Sequence, residues 1–494
     1  MPTPAIAPYG SWESPITTDL LLGGTVGLTQ PRPDGDYVYW IEGRPQEGGR
    51  NVIVRWSEAG GREDATPPGF NARTRVHEYG SGDYTVRNGV VYFANFADQR
   101  VYRQRPGEAP EAITPEAPLR YADFVIDANR GRLICVREDH SRSDHEAANA
   151  LVAIPLDGGD ARVLAEGNDF YATPALGPDG RRLAWLTWHH PNMPWGGTEL
   201  WLADIDATGK LVNARQVAGG PHESVFQPEW SPDGTLHFIS DRTGWWNLYR
   251  LRDGEVEALA PMEAEFGLPQ WVFGMYTYAF TGPDEIVCTY TRDGVRVMAR
   301  LNTETGELTT FDVPYSGALL RAGGGRVVYI GASPTLPAAV VALDPATGAW
   351  EVLRRSSEID IDEGYISIAR PIEFPTEGGL TAHGYYYPPR NRDYVAPEGE
   401  LPPLIVISHG GPTSATSDDF SLARQYWTSR GFALLDVNYG GSTGYGRAYR
   451  ERLNGNWGIV DVDDCANGAR YLAEQGLVDA DRLIIRGGSA GGYT

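Results

Sequence analysis

The segment Leu483-Ile484-Ile485-Arg486-Gly487-Gly488-Ser489-Ala490-Gly491-Gly492 is a short apolar run followed by a serine set among glycines and an alanine. The apolar run is typical of a buried β-strand. The small residues after it allow the backbone to turn sharply through conformations that a Cβ atom would block. The segment therefore predicts a strand, a tight turn that carries Ser489, and the start of a helix.

The residues around Ser489 match the pattern G-x-S-x-G, the nucleophile elbow of the α/β-hydrolase fold. Because the chain has 60 glycines in 494 residues, chance alone supplies about 0.3 of a match, and the context has to decide. A second match surrounds Ser442, but Tyr445 and Gly446 follow it, as in a loop rather than at the start of a helix. The strand and turn around Ser489 favour that serine as the nucleophile.

A second apolar run, at 404–407, leads into Ser408-His409-Gly410-Gly411-Pro412. In a hydrolase of this fold, backbone N–H groups from such a loop and from the residue after the nucleophile hold the developing oxyanion. The predicted donors here are Gly411 and Ala490. A Gly-Pro dipeptide alone is also typical of an ordinary turn. Its position about 80 residues before the elbow favours the oxyanion loop.

The region between these motifs predicts a doubly wound sheet, because strand and helix patterns alternate along it. The predicted strands are 404–407, 432–438 and 482–486, and the helices are 418–430 and 461–475. Asp463 and Asp464 fall in the first turn of the second helix, where the helix dipole favours acidic residues. Neither is predicted to be the acid of a catalytic triad, since that residue follows the nucleophile along the chain.

The first 355 residues have a different pattern, in which one kind of turn recurs about every 50 residues and is followed by an alternating or apolar strand. A repeat of this length with several strands per unit predicts a β-propeller, here with seven blades. A row of unrelated β-sandwich turns is the alternative, and it does not explain the regular spacing. The seven turns are Pro33-Asp34-Gly35, Arg87-Asn88-Gly89, Asn129-Arg130-Gly131, Pro178-Asp179-Gly180, Pro232-Asp233-Gly234, Gly282-Pro283-Asp284 and Gly323-Gly324-Gly325.

Composition excludes several classes of protein. A formal net charge of −23 argues against a nucleic-acid partner, which requires clustered basic surface. The cysteines, Cys135, Cys288 and Cys465, are too widely spaced for a disulfide framework or a zinc site. The N-terminus lacks a signal-peptide pattern, and no apolar run reaches membrane-spanning length. We therefore expect a cytoplasmic protein with no membrane partner, no metal and no cofactor.

Other candidate sites are weaker. His77-Glu78 and His222-Glu223 each begin like a zinc-protease motif, but no second histidine follows at the required position. His189 and His190 either line a pocket at one face of the propeller or are merely hydrogen-bonded, and base rates favour the second interpretation. Glu263 and Glu265 lie in a loop that either binds a substrate amine or is simply solvated, the usual state of acidic loop residues.

Together, these features resemble the prolyl oligopeptidase family of serine peptidases, and specifically its acylaminoacyl-peptidase and dipeptidyl-peptidase-like branch. The resemblance implies a short N-terminal segment at 1–30, a seven-bladed propeller at 31–355 and part of an α/β-hydrolase domain at 356–494. The strings that carry it include Pro8-Tyr9-Gly10-Ser11-Trp12, Val76-His77-Glu78-Tyr79-Gly80, His190-Pro191-Asn192-Met193-Pro194-Trp195, His409-Gly410-Gly411-Pro412 and Asn438-Tyr439-Gly440-Gly441-Ser442-Thr443-Gly444-Tyr445-Gly446.

The resemblance implies hydrolysis of short peptides by acyl transfer, with Ser489 as nucleophile and the N–H groups of Gly411 and Ala490 as oxyanion donors. Every histidine precedes Ser489, so the triad Asp and His are missing from positions 1–494. We therefore expect a peptidase whose sequence is cut short and whose 1–494 fragment is inactive. The alternatives are an esterase of the same fold and a non-catalytic propeller binding protein with a degenerate hydrolase half. Assembly into a homo-oligomer is left open.

Overall fold

The computed structural model describes residues 3–141 and 146–494. These residues form seven four-stranded antiparallel sheets followed by one five-stranded mixed sheet. Each four-stranded sheet takes its strands from one continuous stretch of chain, as the blades of a propeller do. The prediction of a seven-bladed β-propeller followed by an α/β-hydrolase sheet is therefore confirmed.

The blades are numbered 1 to 7 along the chain, and their strands have the following bounds. Blade 1 comprises Gly27–Asp34, Tyr37–Arg44, Arg50–Ser57 and Gly61–Asp64, and blade 2 comprises Tyr84–Arg87, Val90–Ala94, Val101–Gln104 and Glu111–Ala112. Blade 3 comprises Leu119–Asp127, Arg132–Asp139, Ala148–Pro155 and Arg162–Glu166, and blade 4 comprises Phe170–Leu176, Arg182–Trp188, Thr198–Ile205 and Leu211–Gly220. Blade 5 comprises Val225–Trp230, Leu236–Ser240, Asn247–Arg252 and Glu255–Ala258. Blade 6 comprises Tyr278–Gly282, Glu285–Arg292, Val295–Asn302 and Leu308–Thr310, and blade 7 comprises Ser316–Gly323, Arg326–Ala332, Ala339–Leu343 and Trp350–Arg355.

The seven predicted turns all join the first strand of a blade to the second. Neighbouring turns are also hydrogen-bonded to one another. The carboxylate of Asp34 in blade 1 accepts hydrogen bonds from the backbone N–H groups of Asn88 (3.0 Å) and Gly89 (2.7 Å) in blade 2. The turn chemistry visible in the sequence thus links adjacent blades as well as reversing the chain.

The ring closes through side chains of blades 1 and 7. Val38 and Trp40 of blade 1 pack against Val328 and Val340 of blade 7, and all four side chains are buried. Arg354 Nε of blade 7 donates to the buried carboxylate of Glu42 in blade 1 at 3.0 Å. Apolar packing and one partly buried ion pair therefore join the two ends of the propeller.

The hydrolase part is built on the five-stranded sheet. Its strand order is Arg370–Pro375, Thr381–Tyr387, Ala433–Asn438, Leu404–Ser408 and Leu483–Gly487. The last three strands are parallel, as the alternating pattern predicts, whereas the first two are antiparallel and were not predicted.

Two main helices cover this sheet. Helix Val460–Glu474 buries Cys465 and Leu472 in the cluster that contains Leu435, and helix Leu422–Thr428 contributes Trp427 to a second cluster. The predicted helix 418–430 is shorter in the structure, while the predicted helix 461–475 is shifted by one residue. The other short helices are Thr18–Leu22, Arg447–Arg450 and Ala490–Tyr493, with 3-10 turns at Pro45–Glu47, Ala128–Arg130, Glu363–Tyr365, Glu377–Gly379 and Glu451–Leu453.

The strand before Ser489 is at the end of the sheet order and pairs with Leu404–Ser408. The sequence predicts a buried strand, but Ile484 and Ile485 are 46% and 55% exposed. The prediction of burial is wrong within the described residues, because both side chains lie outside the hydrophobic clusters that cover this sheet there.

The N-terminal residues pack on the hydrolase part. Strand Ala5–Ile6 pairs in parallel with Tyr394–Val395, and Gly10 N–H donates to the carbonyl of Arg430 at 3.1 Å. In the described part of the chain, no helix is long and apolar enough to cross a membrane.

Candidate active site

Ser489 lies on the turn between strand Leu483–Gly487 and helix Ala490–Tyr493. Its backbone has φ 53° and ψ −125°, a strained conformation for a residue with a side chain. Gly487 and Gly491 are required by space, because a Cβ atom would lie 2.1 Å from the Gly491 carbonyl oxygen in the first case and 2.0 Å from the Ser408 carbonyl oxygen in the second. Ser489 itself is exposed. The local backbone thus presents the hydroxyl group on a tight, glycine-dependent turn.

The loop 409–413 lies directly beside this turn. Ser408 pairs with Gly487 in the parallel sheet, so the two strands end at the same edge. A Cβ atom placed on Gly410 would lie 3.2 Å from Ser489 Cβ and 3.8 Å from Ser489 Oγ. Gly411 follows with φ 129°, and Ala490 is buried as the first residue of the helix. The fold therefore brings together the three residues that the motifs single out.

His409 organises the same loop. Its Nδ1 lies 2.8 Å from the carbonyl oxygen of Gly410, and its Nε2 lies 2.8 Å from Ser442 Oγ. A carbonyl can only accept, so Nδ1 carries the proton, and in the neutral ring Nε2 accepts from the Ser442 hydroxyl. Burial lowers the pKa of His409 and favours that neutral ring. The imidazole also stacks on Tyr439, with ring centroids 4.3 Å apart.

This hydrogen-bond chain sets the direction of one peptide group. The Gly410 carbonyl and the Gly411 N–H belong to the same planar unit and point in opposite directions. Holding the carbonyl against His409 therefore holds the Gly411 N–H on the other side. Ser442 is the serine of the second G-x-S-x-G match. It is fully buried and hydrogen-bonded to His409, so it does not lie on an exposed turn.

A cavity of about 630 Å³ opens in the propeller on the hydrolase side. It is lined by aromatic side chains, including Tyr79, Phe170 and Trp271, and by carboxylates that include Glu138. Trp271 Nε1 donates to the carbonyl oxygen of Thr413 at 2.7 Å, so the cavity wall touches the loop that contacts Ser489. Phe170 and Trp271 carried no signal in the sequence, because only the closed ring brings them to this cavity, whereas Tyr79 belongs to one of the strings that carry the family resemblance.

The weaker sequence candidates separate in the structure. His190 lines this cavity, whereas His189 interacts with Asp169, with Nδ1 and a carboxylate oxygen 3.3 Å apart. Glu263 is exposed, as expected of a solvated loop residue.

Glu265 is 3% exposed, so its interpretation as a solvated residue is wrong. Its carboxylate accepts from Trp246 N–H (2.9 Å) and from Gly446 N–H (3.0 Å), which joins the propeller to the hydrolase part. Burial raises the pKa of Glu265 to about 7. The contact with a residue 181 positions away explains why sequence reasoning missed this burial.

Comparison with known proteins places these features in context. The model of the prolyl oligopeptidase family matches residues 418–494. A dipeptidyl aminopeptidase BIII of Pseudoxanthomonas mexicana is 34% identical over 125 residues, which are 25% of this chain and 18% of that enzyme. An acylamino-acid-releasing enzyme of Arabidopsis thaliana is 40% identical over 95 residues, 19% of this chain and 12% of that enzyme. The matches thus span less than a fifth of these relatives' own length.

Two solved structures are similar over nearly the whole chain. A puromycin hydrolase has 39% sequence identity and a TM-score of 0.92, and the match covers 99% of this chain and 77% of that one. A puromycin-hydrolyzing peptidase of Mycobacterium tuberculosis has 42% identity and a TM-score of 0.94, with 99% and 78% covered.

Proposed function

This chain belongs to the prolyl oligopeptidase family, and from that premise we propose that it is a serine peptidase that hydrolyses short peptides through Ser489. One observation carries the proposal: Ser489 has the strained backbone of a nucleophile elbow and lies in contact distance of Gly410, beside Gly411. The identity of 39% and 42% to two solved hydrolases supports it.

In the proposed reaction, Ser489 Oγ attacks the scissile carbonyl carbon, its proton passes to a general base, and a tetrahedral intermediate forms. The N–H groups of Gly411 and Ala490 donate to its negative oxygen. The C–N bond then breaks, the leaving amine takes a proton from the general acid, and an acyl-serine ester remains. A water molecule hydrolyses this ester and returns the serine hydroxyl.

A histidine base and an acid that orients it are required for these steps. His409 lies in the loop beside Ser489 but does not suit the role, because its two ring nitrogens already bond Gly410 and Ser442. In the α/β-hydrolase order, both residues follow the nucleophile along the chain. We therefore propose that they follow Thr494 and that residues 1–494 alone do not turn over substrate.

The cavity beside the elbow supports short peptides and aminoacyl amides as substrates. Tyr79, Phe170 and Trp271 offer apolar surface for a substrate side chain, and the carboxylates nearby favour an amino terminus. Two similar proteins are described as hydrolysing puromycin, which makes puromycin a suitable first substrate. The expected cytoplasmic location remains a prediction, consistent with three buried free cysteines in the described chain.

The test compares amide with ester hydrolysis by the full-length protein, using an aminoacyl 4-nitroanilide and the matching ester. A peptidase cleaves the amide, and Ser489→Ala lowers that rate by about a thousandfold or more. Ester cleavage without amide cleavage indicates the esterase alternative. Failure of the folded wild-type protein to cleave either substrate indicates a propeller protein with a degenerate hydrolase half.

A further inference from the structure

The first strands of the seven blades enclose a channel that runs along the axis of the propeller. A cavity of about 420 Å³ occupies one end of it. Phe170, which begins the first strand of blade 4, lines the cavity beside the hydrolase part, whereas Thr173 to Leu176 of the same strand line the channel cavity. The channel cavity is therefore on the side of the propeller away from Ser489.

Two arginines form the floor of this cavity. Arg32 of blade 1 and Arg321 of blade 7 come from adjacent blades, and together with Tyr276 they line both the large cavity and a small one of about 10 Å³. The guanidinium carbon of Arg321 lies 3.1 Å from the centroid of the Tyr276 ring. Such a stack holds the guanidinium in one plane and leaves the N–H donors along its edge free.

Neither guanidinium has a protein partner for its N–H groups among the described residues. Arg32 Nε is fully buried and makes no hydrogen bond. Within 3–141 and 146–494, neither arginine lies within 4.0 Å of a carboxylate oxygen. Burial, together with the positive charge of Arg321, lowers the pKa of Arg32. Asp123 and Glu229 compensate part of this charge at longer range. Within the described residues, the N–H groups of the two guanidiniums still lack hydrogen-bond acceptors, which an anion or water would supply.

The carboxyl groups of the same cavity are engaged elsewhere. Asp123 accepts from the Thr173 N–H at 2.6 Å, and Glu229 accepts from Gln227 Nε2 at 2.8 Å. Burial raises the pKa of both carboxyl groups, while the positive charge of the arginines acts on each pKa in the opposite direction. They belong to blades 3 and 5, across the ring from the arginines. The two guanidinium groups and the two carboxyl groups thus line different parts of the cavity wall.

We propose that Arg32 and Arg321 bind a small oxyanion at the floor of the propeller channel. The paired guanidinium edges match the two or more oxygens of a carboxylate or a phosphate group. Two sources fit this chemistry, inorganic phosphate and the terminal carboxylate of a short peptide, for which the cavity has room. This site is separate from Ser489 and does not depend on peptide hydrolysis.

Isothermal titration calorimetry of the full-length Ser489→Ala protein tests the site, with phosphate titrated at fixed ionic strength. The site predicts saturable binding of one phosphate that Arg32→Gln and Arg321→Gln each weaken about tenfold or more. Arg321→Lys keeps the charge but loses the planar fork, and we expect it to weaken phosphate binding as well. The control is Arg326→Gln, a half-exposed arginine of blade 7 that lies outside this cavity and leaves binding unchanged.

A second titration uses glycylglycine and its C-terminal amide. If peptide carboxylates use the site, glycylglycine competes with phosphate and the amide does not; if only phosphate binds, neither competes. Melting temperatures identify the variants that are folded. The proposal is overturned if folded protein binds neither phosphate nor glycylglycine, or if folded arginine variants, Arg321→Lys included, bind as well as the control.

Discussion

At the scale of single residues, two serines with the same local pattern have different environments. Ser489 is exposed on a strained turn, whereas Ser442 is buried and hydrogen-bonded to His409. The pattern G-x-S-x-G therefore describes two unlike structures in one chain. The difference supports the proposal that Ser489 attacks the substrate, and we expect Ser442 to position the loop 409–413.

Ser442→Ala tests that positioning role. The change removes the hydrogen bond to His409 Nε2 and loosens the peptide that carries the Gly411 N–H. Because this donor acts most strongly in the transition state, we expect kcat to fall about tenfold while KM changes little. Steady-state kinetics of the full-length enzyme on an aminoacyl amide give both values.

Ser421→Ala is the matched control, since the Ser421 side chain makes no capping hydrogen bond at its helix. It should leave kcat and KM unchanged. A Ser442→Ala enzyme with wild-type kcat, or with a change confined to KM, would show that Ser442 does not act on the transition state.

The turn at Ser489 and its closeness to the loop 409–413 could be predicted from the sequence because their signals are local, whereas the oxyanion role of Gly411 and Ala490 stays a prediction. Gly487 and Gly491 are dictated by the turn that carries Ser489, and the apolar runs are dictated by the parallel strands. The burial of Glu265 could not be predicted, because it depends on a contact with Gly446. The exposure of Ile485 is equally non-local, since an apolar run shows its preference for burial and not which neighbours cover it.

At the scale of secondary-structure elements, the seven turns combine two tasks. They reverse the chain inside a blade, and some of their side chains reach the next blade. The regular turn spacing made the number of blades predictable. The two antiparallel strands Arg370–Pro375 and Thr381–Tyr387 are joined by a turn with Gly378 and Gly379, but this single turn is not part of a regular repeat, and the strands were missed.

Asp34→Ala tests the link between blades 1 and 2. The change leaves the N–H groups of Asn88 and Gly89 without their carboxylate acceptor. Water replaces part of the interaction at this half-exposed site, so we expect a loss of about 1 kcal/mol in stability. The midpoint of urea unfolding, followed by tryptophan fluorescence, measures it.

Asp36→Ala serves as the comparison, because Asp36 is an exposed residue beside the same turn. Its urea midpoint should equal that of the wild-type protein. Equal midpoints for all three proteins would mean that the turns do not couple the blades energetically.

At the scale of the whole molecule, charged groups join the propeller to the hydrolase part. The buried carboxylate of Asp241 accepts from Arg447 at 2.8 Å and from Arg450. Glu265 accepts N–H groups from both sides of the same interface. Arg296 pairs with Asp419 at 3.3 Å. Because breaking a buried charged contact is costly, we expect these groups to hold the two parts in one arrangement.

Glu265→Gln tests this interface. The amide NH₂ of glutamine cannot accept a hydrogen bond, so it would face one of the two backbone N–H donors. We expect the free energy of unfolding to fall by about 2 kcal/mol. Calorimetry at pH 7 would show this loss as a lower melting temperature. Glu263→Gln, in an exposed position two residues earlier, should leave the melting temperature unchanged. Equal melting temperatures for the two variants would contradict the role of Glu265.

The pH dependence gives a second test of Glu265. Burial raises the pKa of this group from 4.5 to about 7, so between these values the folded protein keeps a proton that the unfolded chain has released. Stability therefore falls as the pH rises through this range and levels off above it. Melting temperatures of the wild type and Glu265→Gln are measured from pH 4.5 to 8. The melting temperature of the wild type minus that of Glu265→Gln should fall as the pH rises to about 7 and then level off. Parallel curves would place the pKa of Glu265 near its ordinary value.

The central claim is that Ser489 is an activated nucleophile. The direct measurement is reaction of the full-length protein with a fluorophosphonate probe, followed by mass mapping of the modified peptide in wild type, Ser489→Ala and Ser442→Ala. We predict that the probe modifies Ser489, that Ser489→Ala abolishes labelling, and that Ser442→Ala slows it while the label stays on Ser489. Modification of Ser442, or labelling that persists in Ser489→Ala, would contradict the claim.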